Sequence, residues 1–154
     1  RARADQFLAD LGAFLKAHVD PDEIDRTGEI PDHVMAGLAR LGAYGIKVPQ
    51  QYGGLGFSQT TYCRACQLIA SWCTNTFAHL SIHQSVGVPQ PLMLFGTEEQ
   101  KKKFLPRVAG GEISAFALTE AGVGSDPARM KTTATPTDDG EAFLLNGEKL
   151  WCSN

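Results

Sequence analysis

The sequence lacks a long apolar run and an excess of positive charge, and each absence excludes a class of protein. None of its residues lies in a stretch of about 18 apolar residues, so no membrane-spanning helix is expected. It has 14 Lys and Arg residues against 17 Asp and Glu, a formal net charge of −3, which argues against binding nucleic-acid phosphates. We therefore expect neither a nucleic-acid partner nor an integral membrane segment.

The sequence has four cysteines and four histidines, and their spacing does not indicate a disulfide framework or a metal site. Cys63 and Cys66 form a C-x-x-C pair, but the surrounding apolar spacing is helical and no second pair follows. His79 and His83 are four residues apart, yet Leu80 stands where a zinc protease motif needs glutamate. We expect no metal, buried helical cysteines, and histidines that pack or form hydrogen bonds.

Apolar periodicity predicts five helices in the first two thirds of the chain. The acidic segment 21–29, PDEIDRTGE, is expected to be a connection rather than a helix. The five predicted helices are residues 5–19, a second from Pro31 that Gly42 and Gly45 stop, a third from Gln59 to Cys73 with Ser58 as N-cap, a hydrophobic fourth from Thr74 that Pro89 and Pro91 interrupt, and a fifth opened by a Thr97–Gln100 capping box.

From Ile113 the pattern changes to β-prone segments. Three strands are expected, within residues 113–120, 131–137 and 141–153. The turn 138–140 joins the second to the third, and Asn146–Gly147 is a strong hairpin signal within the third. The fold class is therefore α+β, an up-and-down helical bundle followed by the first strands of an antiparallel β domain.

The segment AFALTEAGVGSD, residues 115–126, has the composition of an anion-binding turn. It leaves a strand through Thr119, and Gly122 and Gly124 permit positive φ and a close approach of the backbone to a ligand. The hydroxyl of Ser125 follows. Successive amides in such a turn can bind a pyrophosphate, although an ordinary strand-to-loop turn has the same composition.

A second segment, LNGEKLWCSN at residues 145–154, places an aromatic ring and a hydroxyl two residues apart. If these residues form a strand, Trp151 and Ser153 point to the same face. The indole could then stack on a planar cofactor while the hydroxyl binds a ring nitrogen. A core tryptophan beside a surface serine is the alternative.

Together these segments resemble the two flavin-binding signatures of the acyl-CoA dehydrogenase family, aromatic-x-hydrophobic-T-E-x-x-x-G-S-D and W-I-T-N. Residues 46–58 and 95–112 resemble further family segments in the same order, so the resemblance covers nearly the whole chain from Ile30. It implies an amino-terminal helical domain at residues 1–111 and the start of a flavin-binding β domain at residues 112–154. The family's carboxy-terminal helical domain is expected to be absent from these residues.

The resemblance places residues of the first signature at FAD. Phe116, Leu118 and Thr119 would line the flavin ring and its pyrimidine edge. Gly124 and Ser125 would approach the pyrophosphate, and Ser125 would also contact the CoA portion of a substrate.

In the second signature, Trp151 would stack against the flavin and Ser153 would bond its N5, with Cys152 adjacent. The sequence departs from the common family pattern in three places. Ala121 replaces the usual proline, Val123 the usual alanine, and Cys152–Ser153 the usual Ile-Thr. Serine keeps the hydroxyl, whereas the missing proline loosens the turn.

The implied activity is FAD-dependent α,β-dehydrogenation of an acyl-CoA thioester to the trans-2-enoyl-CoA, in fatty-acid or related catabolism. In this family the catalytic base is a glutamate of the carboxy-terminal domain, so no catalytic residue is expected before Asn154 and these residues alone should be inactive. Glu120 lies within the first signature and is expected to be structural.

The resemblance also implies partners. They are an acyl-CoA substrate, an electron-transfer flavoprotein as electron acceptor, and further copies of the chain in a homodimer or homotetramer. The expected location is the cytoplasm of a bacterium or the mitochondrial matrix of a eukaryote. An acyl-CoA oxidase and a non-catalytic scaffold subunit of the same fold remain alternatives, and the two signatures argue against a free-standing helical interaction module.

Overall fold

The computed structural model describes residues 1–154, which form seven α-helices and one two-stranded antiparallel sheet. They divide into two compact units, residues 1–115 with Asn154 and residues 116–153. None of the helices has the length and apolar character needed to cross a membrane. The elements are α1 (Ala2–His18), α2 (Pro21–Thr27), α3 (Asp32–Arg40), α4 (Gln59–Trp72), α5 (Thr74–Ser81), α6 (Pro89–Phe95), α7 (Glu98–Ala109), β1 (Thr133–Pro136) and β2 (Phe143–Asn146).

The helical unit is built around the apolar faces of α1, α3 and α4. Leu11 of α1, Leu38 of α3 and Ile69 of α4 are almost fully buried in one cluster. Apolar residues four positions apart put one continuous stripe on each helix, and burying that stripe drives the packing. Truncating one such leucine to alanine typically costs about 2–5 kcal/mol.

The predicted helix ends are largely confirmed because local side chains define them. The Ser58 hydroxyl accepts the amide hydrogen of Thr61 at the start of α4, and Thr97 and Gln100 form the complete capping box of α7. Gly42 adopts a left-handed φ of 76° just after α3. Pro31 is the N-cap of α3 rather than part of its first turn.

The number of helices was predicted wrongly. The supposed connection at residues 21–29 contains α2, which Asp20 caps by accepting two amide hydrogens and which Gly28 ends. The helix α2 was missed because its sequence is mostly polar and Ile24 is its one buried residue. The predicted fourth helix is three elements, α5, a π-helical turn Ile82–Val86, and α6.

The π-helical turn carries three consecutive polar residues that each bond a different part of the helical unit. His83 contacts the end of α7, Gln84 accepts from the Ile46 amide at 3.0 Å, and the hydroxyls of Ser85 and Tyr62 lie 2.6 Å apart. Such π-helical turns are rare and frequently lie at functional sites. The turn therefore connects α4, α7 and the segment after α3.

A glycine-rich loop at residues 46–57 forms a second, smaller core with α7. Val48 and Tyr52 pack with Leu105 in this cluster. The loop folds back on itself, so that the Gly56 amide donates to the Val48 carbonyl at 2.9 Å. A Cβ on Gly54 would overlap both the backbone and the side chain of Val48, so only glycine fits there.

In the second unit β1 and β2 pair antiparallel, with Thr133 opposite Asn146 and Pro136 opposite Phe143. The predicted turn between them is confirmed, with Gly140 at a φ of 70°. The α+β class and the order of bundle first and antiparallel strands second are also confirmed.

Two strand predictions were wrong. Residues 113–120 form no strand and contribute two isolated bridges, Phe116 with Ser153 and Glu120 with Val123. Asn146–Gly147 is not a hairpin turn, because β2 ends at Asn146 and residues 147–150 are irregular. Gly147 is required for another reason, since a Cβ there would overlap Thr132.

Candidate functional site

The two segments that carry the sequence signatures lie side by side in the second unit. The Phe116 amide donates to the Ser153 carbonyl at 3.1 Å, and the Ser153 amide donates to the Phe116 carbonyl at 3.2 Å. The Leu150 amide donates to the Thr119 carbonyl at 2.8 Å. Residues 116–119 and 150–153 are therefore joined by backbone hydrogen bonds, although some thirty residues separate them. This juxtaposition was implied by the resemblance and not by any local pattern.

Trp151 does not have the predicted strand geometry. Its φ is +57°, in the left-handed region, so the expectation that Trp151 and Ser153 share one face of a strand was wrong. The indole is 83% exposed, and the Ser153 hydroxyl donates to the Trp151 carbonyl at 3.4 Å. Cys152 between them is an exposed free thiol. The tryptophan therefore presents a bare aromatic surface rather than a core contact.

The turn after Thr119 is compact, but its glycines do not use the positive φ that glycine permits. The Val123 amide donates to the Glu120 carbonyl at 3.0 Å, and the buried Val123 side chain anchors the turn. Gly122 and Gly124 both have ordinary φ, and a Cβ on either would meet no atom within 4 Å. Open space thus surrounds the turn, and Ser125 is exposed beside it.

Glu120 is the best-connected polar residue of this region. Its carboxylate accepts from the Lys131 amide at 2.7 Å, the Thr132 amide at 3.0 Å and the Lys149 ammonium at 2.9 Å. Three neighbouring groups lower the pKa of Glu120 to about 2. They are the Thr132 side chain, the Lys131 amide and the Lys149 ammonium. The structural role expected for Glu120 agrees with these contacts.

Sequence reasoning missed Lys149, which lies between β2 and Trp151. Its ammonium donates to the Leu118 carbonyl at 3.0 Å and to the Glu120 carboxylate. A lysine within a polar NGEK segment looks like an ordinary surface residue, so no local signal marks it. Glu120, Gly122, Lys131, Thr132 and Gly147 line part of a cavity of about 260 Å³ next to this pair.

The position of Glu120 predicts an acid-dependent loss of stability. Its pKa is lower in the folded state than the ordinary value of 4.5, so its stabilising effect is complete above pH 4.5 and disappears as the pH falls toward 2. In the full-length protein, a Glu120→Gln variant should unfold at a lower temperature than the wild type at pH 6, with the gap narrowing below pH 4.5.

Thermal unfolding followed at several pH values measures this gap. The exposed Glu29→Gln change, at a residue outside the helices, is the matched control and should leave the unfolding temperature unaltered throughout. A gap for Glu120→Gln that is constant across the acid range would contradict the assignment.

In the helical unit, His83 is fully buried and bonded at both ring nitrogens. Nε2 lies 3.1 Å from the Val108 carbonyl and Nδ1 accepts the Ser114 amide hydrogen at 3.0 Å. Burial lowers the pKa of His83. The ring is therefore neutral, with its proton on Nε2, and it joins the end of α7 to the segment after it.

His79 has a hydrogen-bond partner within the protein, whereas Cys63 and Cys66 are free thiols. His79 Nε2 lies 3.0 Å from the Tyr44 hydroxyl, and burial lowers the pKa of His79. Cys63 is exposed and Cys66 half-buried, both as free thiols on α4, so the expectation of buried cysteines was wrong for Cys63. No group of three His, Cys, Asp or Glu side chains is placed to hold a metal ion.

Comparison with known proteins settles the family. The model of the acyl-CoA dehydrogenase N-terminal domain matches residues 2–112, and that of the acyl-CoA dehydrogenase middle domain matches residues 115–154. The chain belongs to the acyl-CoA dehydrogenase family. The resemblance stated from the signatures is thereby confirmed, and the paired segments 116–119 and 150–153 fall within the match to the family's middle domain.

Relatives and solved structures of the acyl-CoA dehydrogenase family agree. The chain is 54% identical over 153 residues to the probable acyl-CoA dehydrogenase FadE10 of Mycobacterium tuberculosis, covering 99% of this chain and 23% of that protein. It is 39% identical over 154 residues to the mitochondrial very long-chain specific acyl-CoA dehydrogenase of Rattus norvegicus, covering 97% and 23%. A Bacillus anthracis acyl-CoA dehydrogenase crystallised with FAD superposes with a TM-score of 0.84 at 33% identity, covering 100% of this chain and 27% of that one. The chain thus spans 23% of the length of these curated relatives.

Proposed function

We propose that these residues are the helical domain and the first part of the flavin-binding domain of an FAD-dependent acyl-CoA dehydrogenase. The helical domain is assigned to residues 1–111 and the flavin-binding part to residues 112–154. The reaction is α,β-dehydrogenation of an acyl-CoA thioester to the trans-2-enoyl-CoA, in fatty-acid or related catabolism. The observation that supports this best is the backbone pairing of residues 116–119 with residues 150–153, which unites two flavin-type signatures.

The residues present suit FAD. The exposed Trp151 indole offers a surface on which a planar ring can stack, and Phe116 is also partly exposed. The open space around Gly122 and Gly124 leaves room for a ligand to approach the turn. The proposed cofactor-binding residues are Phe116, Leu118, Thr119, Gly124, Ser125, Trp151, Cys152 and Ser153, with Ser125 also at the CoA portion of the substrate.

Each group has a definite task in this proposal. FAD, when bound, supplies the acceptor for the hydride that leaves the β-carbon. Trp151 and Phe116 orient the ring and exclude water from it, and Ser153 holds a hydrogen bond to its edge. The α-proton goes to a carboxylate outside these residues. Glu120 is unsuited to that role, because its carboxylate is buried and already accepts three hydrogen bonds.

The proposal extends to partners. The reduced enzyme passes its electrons to an electron-transfer flavoprotein and works as a homodimer or homotetramer. A relative from Mycobacterium tuberculosis and a mitochondrial one from Rattus norvegicus support a bacterial cytoplasm or a mitochondrial matrix as its location.

The test is reduction of the flavin by substrate. The full-length protein is loaded with FAD and mixed, without oxygen, with saturated acyl-CoAs of several lengths. Its flavin absorbance at about 450 nm should then disappear. The corresponding trans-2-enoyl-CoAs, which have already lost both hydrogens, are the control and should cause no bleaching. If every saturated acyl-CoA leaves the bound FAD oxidised, the scaffold alternative replaces this proposal.

Admitting oxygen after reduction separates a dehydrogenase from an oxidase. A flavin that stays reduced in air for many turnover times, and is reoxidised on adding an electron-transfer flavoprotein, supports the dehydrogenase. Rapid reoxidation by oxygen with formation of hydrogen peroxide supports the oxidase.

A further inference from the structure

The two flavin-type segments meet at an ion pair between Glu120, which belongs to the first signature, and Lys149, which belongs to neither. We propose that Glu120 and Lys149 are positioning residues that hold residues 116–119 and residues 150–153 at the spacing that FAD binding requires. The inference rests on the proposed function, because it concerns how the same site is held in shape.

The place of the pair in the chain supports this role. Glu120 directly follows the first segment, and Lys149 directly precedes the second. The Lys149 ammonium spans the two, because it donates to the Leu118 carbonyl at 3.0 Å and to the Glu120 carboxylate at 2.9 Å. The adjacent hydrogen bond from the Leu150 amide to the Thr119 carbonyl continues the same connection. The Lys149 side chain therefore reinforces the spacing that the backbone hydrogen bonds set between the two segments.

The ion pair between Glu120 and Lys149 is largely shielded from solvent. The Glu120 side chain is 7% exposed and that of Lys149 is 21% exposed. A shielded ion pair has a fixed geometry, and removing one partner leaves the other with an unmet charge. Surface pairs such as Arg107 with Glu112, each about half exposed, contribute little by comparison.

The same carboxylate also closes the loop that carries the turn glycines. By accepting from the amides of Lys131 and Thr132, Glu120 brings both ends of residues 120–132 together. The turn with Gly124 and Ser125 lies within that closed loop. The pair thus sets the position of the proposed pyrophosphate contacts as well as the flavin contacts.

Neither aromatic residue of the site is positioned by full burial. Phe116 is 36% and Trp151 83% exposed. Their segments are held by the Phe116–Ser153 and Thr119–Leu150 backbone hydrogen bonds and by Lys149. Loss of the ion pair should therefore affect ligand binding before it affects the fold, because few apolar contacts depend on it.

The experiment measures FAD affinity and stability together. Full-length apoprotein is prepared as wild type, Lys149→Met, Lys149→Gln, Lys149→Arg and Glu120→Gln, with Lys102→Met as the control at an exposed lysine of α7. The FAD dissociation constant comes from titration of flavin fluorescence, and the unfolding temperature of the apoprotein is recorded in parallel. Turnover is then measured at limiting and at saturating FAD.

Lys149→Met and Glu120→Gln should raise the dissociation constant for FAD at least about tenfold, the ratio expected from loss of one charge-assisted contact. Lys149→Arg, which keeps the charge, should stay within about threefold of the wild type, and Lys102→Met should match it. The double variant Glu120→Gln/Lys149→Met should lose less than the product of the two single effects, as coupled residues do. Saturating FAD should restore most of the turnover that Lys149→Met and Glu120→Gln lose at limiting FAD, because the pair acts on FAD binding and does not touch the reacting atoms.

Lys149→Gln, which keeps a donor for the Leu118 carbonyl, answers the question if Lys149→Met does not fold. A folded Lys149→Gln or Glu120→Gln protein that binds FAD as tightly as the wild type, with a lower unfolding temperature alone, overturns the proposal in favour of a purely structural pair. A wild-type apoprotein that fails to bind FAD overturns the proposed function and this inference with it.

Discussion

Replacing His83 with leucine is expected to lower the free energy of unfolding by about 2–5 kcal/mol, because the Val108 carbonyl and the Ser114 amide would lose their buried partner. Leucine is close in size, so the loss reflects hydrogen bonding more than a cavity. Chemical unfolding of the full-length protein measures it. Ser114→Ala should cost less, since it leaves the Ser114 amide bonded to the ring.

His33→Leu on α3 is the control for this experiment, because His33 is exposed. Its change in unfolding free energy should stay within about 0.5 kcal/mol, as surface substitutions usually do. Equal stabilities for His83→Leu and His33→Leu would mean that the ring of His83 does not bridge α7 and the segment after it.

Gly54→Ala should be nearly as damaging, at about 1–3 kcal/mol or more. The added methyl group would overlap the backbone and side chain of Val48, and the loop cannot move away without breaking its hydrogen bond from Gly56 to Val48. The loss should appear as a lower midpoint in urea with an unchanged slope, since the denatured state exposes the same surface.

Gly12→Ala is the matched comparison. Gly12 lies inside α1, where a new Cβ would meet Leu68 at 3.6 Å, an ordinary contact distance. Alanine there should stabilise the protein by up to about 1 kcal/mol, because glycine is a poor helix former. A midpoint for Gly54→Ala that is no lower than that of the wild type would rule out steric overlap at Gly54.

The sequence predicted those features that depend on neighbouring residues. The Thr97–Gln100 capping box, the Ser58 N-cap and the turn around Gly140 are confirmed. Each of them depends only on residues a few positions apart in the sequence. The antiparallel order of β1 and β2 follows from that short turn.

What sequence reasoning missed depends on distant contacts. Residues 113–120 are β-prone by composition, but they form only two isolated bridges, Phe116 with Ser153 and Glu120 with Val123. Alternation placed Trp151 and Ser153 on one face, and the left-handed backbone of Trp151 breaks that alternation. Lys149 is recognisable only once residues 118 and 120 are seen beside it. The pairing of residues 116–119 with residues 150–153 could be expected only from the family resemblance, because a resemblance, unlike periodicity, carries tertiary information.

The π-helical turn at residues 82–86 affects how substitutions combine in their effect on stability. His83, Gln84 and Ser85 are consecutive, yet they bond to α7, to the segment after α3 and to α4 respectively. A substitution at any one of these residues is expected to move the backbone that positions the other two side chains. Substitutions at these three positions should therefore combine non-additively with one another and with changes at Ser114 or Tyr62, although those two residues lie on different elements.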